Sequence, residues 1–80
     1  MKIKIRLFGA FRKYSDTGEL ELEIPENSTV NELCGELRSL IPDEGLISES
    51  AIADESRILE KTEKIKEGST LAILPPVCGG

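Results

Sequence analysis

The residues best suited to chemistry lie at the carboxyl end of the chain. The last six residues are Pro75, Pro76, Val77, Cys78, Gly79 and Gly80. Gly79 and Gly80 lack a Cβ atom and therefore fit a passage that excludes other residues. Glycine makes up roughly 7% of residues in proteins, so a terminal pair arises by chance in about one sequence in two hundred. The ending therefore predicts an unhindered carboxylate, that of Gly80, on a narrow tail.

Other familiar catalytic groups are missing or poorly placed. The chain has no histidine, which removes the commonest general base and metal ligand. Its two cysteines, Cys34 and Cys78, lack the C-x2-C spacing of a zinc site, and we expect both thiols to be free in a reducing compartment. Because there is also no glycine-rich phosphate loop and no room for a pocket, an autonomous enzyme is the least favoured class.

Length and composition describe one small, acidic domain. Eighty residues leave no room for a second core. The net charge of −5 makes nucleic acid and anionic membranes poor partners and favours a basic protein partner. The longest apolar run covers residues 71–74, far short of the roughly 18–20 residues of a membrane span. Residues 2–6 alternate charged and apolar side chains, unlike a signal peptide, so we expect a cytoplasmic protein.

Two segments near the amino terminus are predicted to be paired strands. Residues 2–8 alternate apolar with basic side chains, and residues 19–24 alternate apolar with acidic ones. Antiparallel pairing across the connection that carries Gly9 and Gly18 would set three basic residues opposite three acidic residues. Such pairs contribute only ~0.2–1 kcal/mol each. A slip of one residue would break all three pairs and invert the apolar face, so the charges specify register more than stability.

One amphipathic helix follows these strands. Thr29 and Glu32 have the spacing of a capping box at its start, and Pro42 prevents its continuation. The apolar stripe at helical spacing comprises Val30, Leu33, Cys34, Leu37, Leu40 and Ile41. We therefore interpret Cys34 as a core residue with no chemistry.

The order of elements predicts the fold class. Residues 43–50 are predicted to be a loop or short irregular piece, residues 51–53 a weak strand and residues 70–74 the last strand. Four or five strands and one main helix allow only two layers. We predict an α+β fold of the β-grasp (ubiquitin-like) type, a mixed sheet with the helix on one face. The domain would cover residues 1–74 and an extended tail residues 75–80.

The last strand is apolar at successive positions rather than at alternate ones. Such a strand usually lies inside a sheet with both faces covered, yet a single helix covers only one face. If Leu71 and Ile73 face the helix, Ala72 and Leu74 lie on the far face. Scattered apolar residues are common on protein surfaces, but we favour a docking patch that a partner protein completes.

Two prolines direct the chain away from the sheet. Pro75 and Pro76 lack backbone N–H donors, so the ladder of hydrogen bonds cannot continue and the tail leaves in an extended, stiffened form. Six extended residues reach about 20 Å, enough to enter the active site of another protein. A frayed terminus is the alternative interpretation.

The final twelve residues, 69–80, resemble the last strand and tail of ubiquitin-like proteins. The Leu-Pro-Pro-Val-x-Gly-Gly ending is more specifically similar to the small, sulfur-carrying subunit of molybdopterin synthase, the MoaD type. The resemblance covers the whole chain, since residues 3–8 match that family's first strand, residues 29–40 its helix and residues 66–68 the turn before its last strand. The Pro-Pro pair separates the chain from the thiamine-pathway sulfur carriers of the ThiS type, which share the fold and the Gly-Gly pair but usually lack those prolines.

This resemblance implies a carrier that is not catalytic alone. An adenylating enzyme similar to the ubiquitin-activating enzymes would use ATP to adenylate the Gly80 carboxylate, and a sulfur donor protein would convert it to a thiocarboxylate. The tail would insert into the large catalytic subunit of molybdopterin synthase, in a heterotetramer, and give its sulfur to a pterin precursor of the molybdenum or tungsten cofactor. Gly79 would permit insertion, and the carrier itself would bind no cofactor or metal. The docking residues would be Ala72, Leu74, Pro75, Pro76, Val77 and Cys78.

Two positions depart from the usual pattern of that family. Family members often carry an aromatic residue where this chain has Leu74, which implies looser docking or a different partner. Position 78 is more usually Ala or Ser. Cys78 either fits as another small residue, the interpretation that we favour, or takes part through a transient disulfide or by attack on the activated carboxyl group.

Other functions keep the same chemistry or dispense with it. The thiocarboxylate could supply sulfur to thiamine, cysteine or another product, or the carboxyl group could be joined to lysines as a protein modifier. A passive β-grasp binding module, whose tail is never activated, is a further alternative. The protein that co-purifies and the mass of the carboxyl terminus separate these possibilities.

Overall fold

The computed structural model describes residues 1–76, which contain a mixed four-stranded sheet. The strands are β1 (Lys2–Leu7), β2 (Glu19–Glu23), β3 (Ala51–Ala53) and β4 (Thr70–Leu74), in the spatial order β2-β1-β4-β3. β1 pairs antiparallel with β2 and parallel with β4, while β3 pairs antiparallel with β4. The continuous apolar character of the last strand thus matches an interior position in the sheet.

The main helix, α1, spans Val30–Leu40 and begins with the predicted capping box. The Thr29 hydroxyl accepts a hydrogen bond from the Glu32 amide at 3.2 Å, and the Glu32 carboxylate accepts one from the Thr29 amide at 3.0 Å. With α1 packed on one face of the sheet, the fold is the predicted ubiquitin-like β-grasp. Within residues 1–76, no helix is both long enough and apolar enough to cross a membrane.

The predicted register of β1 on β2 is confirmed. The opposed pairs are Lys2 and Glu23, Lys4 and Glu21, and Arg6 and Glu19. None of the three forms a salt bridge, and the salt bridge present within residues 1–76 joins Arg57 to Glu63 instead. The opposed charges therefore favour one register without direct ion pairing, in line with their small expected contribution to stability.

The core lies between α1 and the helix-facing side of the sheet. Its buried side chains come from β1, β3, β4, α1 and the connections, and the half-buried Leu20 and Leu22 of β2 pack against them. Alternate strand residues and the apolar stripe of α1 point into the same layer. The buried apolar residues are Ile3, Ile5, Leu7, Phe11, Ile24, Val30, Leu33, Cys34, Leu37, Ile41, Ile47, Ile52, Ile65, Leu71 and Ile73.

The apolar stripe predicted for α1 was wrong at Leu40, which is 49% exposed. The chain leaves the helix at Ile41, whose backbone is extended and whose side chain is only 1% exposed. The helical spacing places both Leu40 and Ile41 in the core. In the structure Ile41 fills this end of the core, and Leu40 remains on the surface.

Two short helices were not predicted. A 3-10 helix, Gly9–Tyr14, lies in the connection between β1 and β2 and buries Phe11 completely. The loop or irregular piece predicted for residues 43–50 contains a one-turn helix, α2 (Glu44–Ser48), which buries Ile47. Asp43 caps α2 by accepting a hydrogen bond from the Leu46 amide at 3.1 Å. Helices this short show no hydrophobic period, so the pattern of the sequence does not indicate them.

Candidate functional site

The face of the sheet opposite α1 carries the residues predicted to dock a partner. Burial alternates along β4, so that Leu71 and Ile73 are buried against the core while Ala72 and Leu74 are half-buried on the other side. This is the placement that the sequence pattern predicts. We call the surface opposite α1 the open face.

The open face has a hollow around Ala72, where the side chains are small. In the sheet Ala72 lies between Arg6 of β1 and Ala53 of β3, and Leu74 lies opposite Ala51. A hollow of about 140 Å³ opens here, with Ala53 and Ala72 among its lining residues. The alanines form its apolar floor because their side chains end at Cβ. This geometry suits contact with a protruding side chain of another protein.

An aromatic side chain stands at one side of this hollow. Phe8, which also lines it, is 37% exposed, and the guanidinium carbon of Arg6 lies 5.6 Å from the centre of the Phe8 ring. That distance is typical of a cation–π contact. Phe8 was not predicted to be part of this surface. The alternation of β1, which places Lys4 and Arg6 on the open face, nevertheless extends to Phe8.

Carboxylates stand at the other side of the hollow. Asp54 and Glu55 follow β3 and line it. The backbone amides of Ser56 and Arg57 donate to the Asp54 carboxylate at 2.7 and 2.9 Å. These hydrogen bonds lower the pKa of Asp54 below its usual value. The open face therefore offers a partner an apolar floor with charges of both signs at its edge.

The chain leaves β4 through the two prolines. Pro75 and Pro76 are half-buried and continue from the end of the strand with no secondary structure. Gly9, at the start of the 3-10 helix, lies directly against the Pro75 ring. Val77, Cys78, Gly79 and Gly80 lie outside the described residues. The structure thus places four predicted site residues along one strand and its extension: Ala72, Leu74, Pro75 and Pro76.

Cys34 is a core residue, as the stripe predicts. Its side chain belongs to α1 and is 3% exposed. The Lys61 ammonium lies 3.9 Å from the Cys34 sulfur, a contact that the sequence does not indicate. This thiol lies beneath the helix and on the opposite side of the sheet from the open face.

Comparison with known proteins agrees with the fold and names a family. The model of the ThiS family matches residues 5–80. A Pyrococcus furiosus structure provisionally described as molybdopterin converting factor, subunit 1, is 28% identical, with a TM-score of 0.77 over 95% of this chain and 98% of that one. No match is found among curated protein sequences.

Two other archaeal structures share the fold at lower identity. Small archaeal modifier protein 1 from Haloferax volcanii, SAMP1, has a TM-score of 0.77 and 19% identity over the full length of both chains. The ubiquitin of Caldiarchaeum subterraneum has a TM-score of 0.68 and 23% identity over 100% of this chain and 98% of its own. Since the family model covers nearly the whole sequence and the fold agrees, this chain belongs to the ThiS family and has its ubiquitin-like sulfur-carrier fold.

Proposed function

We propose that this chain is a sulfur carrier of the MoaD type, the small subunit of a molybdopterin synthase. Its Gly80 carboxylate becomes a thiocarboxylate and supplies sulfur to a pterin precursor of the molybdenum or tungsten cofactor. The observation that carries this proposal is the Leu-Pro-Pro-Val-x-Gly-Gly ending, which directly extends an interior strand of a ThiS-family fold. The 28% identity to the Pyrococcus furiosus protein provisionally described as a molybdopterin converting factor subunit favours this pathway.

The proposed chemistry begins with activation of the carboxylate, which is a poor electrophile. A carboxylate oxygen of Gly80 attacks the α-phosphorus of ATP, and pyrophosphate leaves, which gives an acyl adenylate. A sulfur nucleophile such as hydrosulfide, released by a donor protein, then attacks the acyl carbon. The C–O bond to AMP breaks, AMP leaves and a thiocarboxylate remains. Both steps need an enclosed active site, for which a domain of eighty residues has no room, so a partner enzyme supplies it.

The open face and the tail make different contacts with the partner. Ala72 and Leu74 provide apolar surface for a partner that covers the hollow. Pro75 and Pro76 hold the chain extended, because a proline ring fixes φ and removes the N–H donor. Gly79 passes through the partner's channel without a side chain to obstruct it. Val77 and Cys78 have small side chains and occupy the same channel of the partner.

Three partners follow from this chemistry. ThiS- and MoaD-like proteins generally pair with a catalytic subunit and an adenylating enzyme. For this chain we propose the large catalytic subunit of molybdopterin synthase, in a heterotetramer, and an adenylating enzyme related to the ubiquitin-activating enzymes. A sulfur donor protein completes the set. ATP is consumed by the adenylating enzyme, and the carrier holds no cofactor of its own.

Intact-mass measurement tests the carrier chemistry. The full chain is incubated with its adenylating enzyme, ATP and a sulfur source, and its mass should rise by the exchange of one oxygen for one sulfur. Deletion of Gly80, or addition of one residue after it, should abolish the exchange and leave the circular dichroism spectrum unchanged. If the full chain is not converted while a known carrier is converted in the same assay, the carrier proposal is wrong and the passive binding module is favoured.

Identification of the natural partner tests the pathway. The protein is isolated with its native partners, and the partners are identified by mass spectrometry. Recovery of a molybdopterin synthase large subunit supports the proposal. Recovery of an enzyme of thiamine or cysteine synthesis, or of lysine-linked conjugates of this chain, would replace the pterin precursor with another acceptor.

A further inference from the structure

Gly9 and Pro75 meet where two parallel strands end. β1 and β4 run side by side in the same direction, with Leu7 opposite Ile73. Two residues further along each chain, Gly9 begins the 3-10 helix and Pro75 begins the tail. A Cβ atom built on Gly9 would lie 2.6 Å from Cγ and 3.4 Å from Cδ of the Pro75 ring. The first proline of the tail therefore rests on a position that only glycine fills without a collision.

The backbone of Gly9 adds a second requirement for glycine. Its φ angle is +57°, in the left-handed region that side chains with a Cβ disfavour. Gly18 and Gly68 have the same sign of φ, at +78° each, but a Cβ atom on either would meet nothing within 4 Å. Among the glycines of residues 1–76, Gly9 is the one at which a left-handed backbone and a close contact with another segment coincide.

The segment that carries Gly9 is firmly held. Phe11, two residues later, is completely buried, and its amide donates to the Phe8 carbonyl at 3.1 Å. Pro75 is equally constrained, because its ring fixes φ and its neighbour Leu74 is paired with Ala51 in the sheet. Both partners of the Gly9–Pro75 contact therefore belong to segments that the fold holds in place.

We propose that Gly9 is a positioning residue for the carboxyl-terminal tail. It holds the Pro75 ring against the end of β1 and thereby sets the direction of the chain at Pro75 and Pro76, from which the carboxyl-terminal residues follow. This inference rests on the proposed carrier function, since only a tail that enters a partner's active site needs a set direction. A tail that is already aimed loses less conformational freedom when it inserts.

The first test compares two glycine substitutions. Gly9→Ala places a methyl group against Pro75, whereas Gly18→Ala places one at an equally left-handed backbone with open space around it. The rate of thiocarboxylate formation by the adenylating enzyme should fall about 10- to 100-fold in Gly9→Ala, because small displacements of a reacting group have effects of that order. Gly18→Ala should load at the wild-type rate. Equal loading by the two variants would overturn the proposal.

A double-variant cycle isolates the contact itself. Pro75→Ala removes the Cγ and Cδ atoms that the new methyl group would meet. Adding Gly9→Ala to the Pro75→Ala variant should therefore change the loading rate far less than adding it to the wild type. Strictly additive effects would mean that Gly9 acts through backbone strain alone and would contradict the positioning role.

A direct measurement of tail direction does not depend on sulfur chemistry. A nitroxide label is attached to Cys78 in a Cys34→Ala background, and broadening of amide resonances is recorded. Gly9→Ala and Pro75→Ala should each change which amides are broadened, whereas Gly18→Ala should not. An unchanged pattern in Gly9→Ala would overturn the positioning role, whatever the pattern of Pro75→Ala. Failure of the unlabelled wild type to be thiocarboxylated would count against the carrier function only, and the label would still report on Gly9.

Discussion

Arg57 and Glu63 form an ion pair with two hydrogen bonds across the loop that follows β3. Both nitrogen–oxygen distances are 2.6 Å. Glu63 also accepts a hydrogen bond from the Glu60 amide at 2.9 Å, and its own carbonyl accepts one from the Val30 amide at 3.0 Å. Glu63 therefore contacts Arg57 through its side chain and the first turn of α1 through its main chain.

This ion pair predicts a specific dependence of stability on pH. The hydrogen bonds from Arg57 and from the Glu60 amide lower the pKa of Glu63 from 4.5 to about 2. A carboxylate whose pKa is lower in the folded state stabilises the fold above its unfolded pKa, and this contribution is lost as pH falls towards the folded value. Wild type should unfold at a higher temperature than Glu63→Gln at pH 7, and the difference should shrink between pH 4.5 and pH 2.

The exposure of the pair sets the control for that experiment. The side chains of Arg57 and Glu63 are 57% and 27% exposed, so salt should weaken their attraction. Raising the ionic strength at pH 7 should bring the melting temperatures of wild type and Glu63→Gln closer together. A difference that stays constant with pH and salt would show that the ion pair does not contribute to stability.

A matched pair of leucines in α1 tests the position of the core. Leu37 is completely buried, whereas Leu40, one turn later, is 49% exposed. Leu37→Ala should lower the free energy of unfolding by about 2–5 kcal/mol, because it removes buried methyl groups and leaves a cavity. Leu40→Ala should change it by less than about 0.5 kcal/mol. Urea denaturation measures both values, and equal losses would contradict the packing described above.

A charge on the open face should separate docking from folding. Ala72→Glu places a carboxylate beside Arg6 on the neighbouring strand, where the sheet tolerates it. It should leave the fold intact but weaken association with the proposed partner, the large synthase subunit, at least tenfold, about 1.4 kcal/mol. Ser39→Glu, which adds the same charge to an exposed position of α1, is the control. Calorimetric binding of Ala72→Glu at wild-type affinity would exclude the open face from the interface.

Substitution of Cys78 tests whether its thiol takes part in the chemistry. If this residue only needs to be small, Cys78→Ser should form the thiocarboxylate at the wild-type rate, as judged by intact mass over time. Deletion of Gly80 provides the inactive reference in the same assay. Loss of conversion in both Cys78→Ser and Cys78→Ala would instead assign the thiol a chemical part in loading.

Much of the fold can be predicted from the sequence because its signals are local. The alternation of residues 2–8 and 19–24 predicts two strands and their register, since a slip of one position would turn apolar side chains to water. Thr29 and Glu32 predict the start of α1, because the hydrogen bonds of a capping box join residues three positions apart. The glycine pair Gly79-Gly80 likewise predicts an unhindered carboxylate from residue type and order alone, whereas the carrier chemistry comes from the family resemblance.

Tertiary structure decided the features that depend on residues distant in the chain. Burial of Phe11 and exposure of Leu40 depend on where the core ends. The local spacing of apolar residues does not indicate that position. The contact between Gly9 and Pro75 exists because β1 and β4 pair in parallel at the centre of the sheet. The sequence contains Gly9 and the two prolines but does not show that they meet. The pairing of β1 with β4 brings Pro75 against Gly9. The surroundings of a side chain are set by elements that come together only in the folded state.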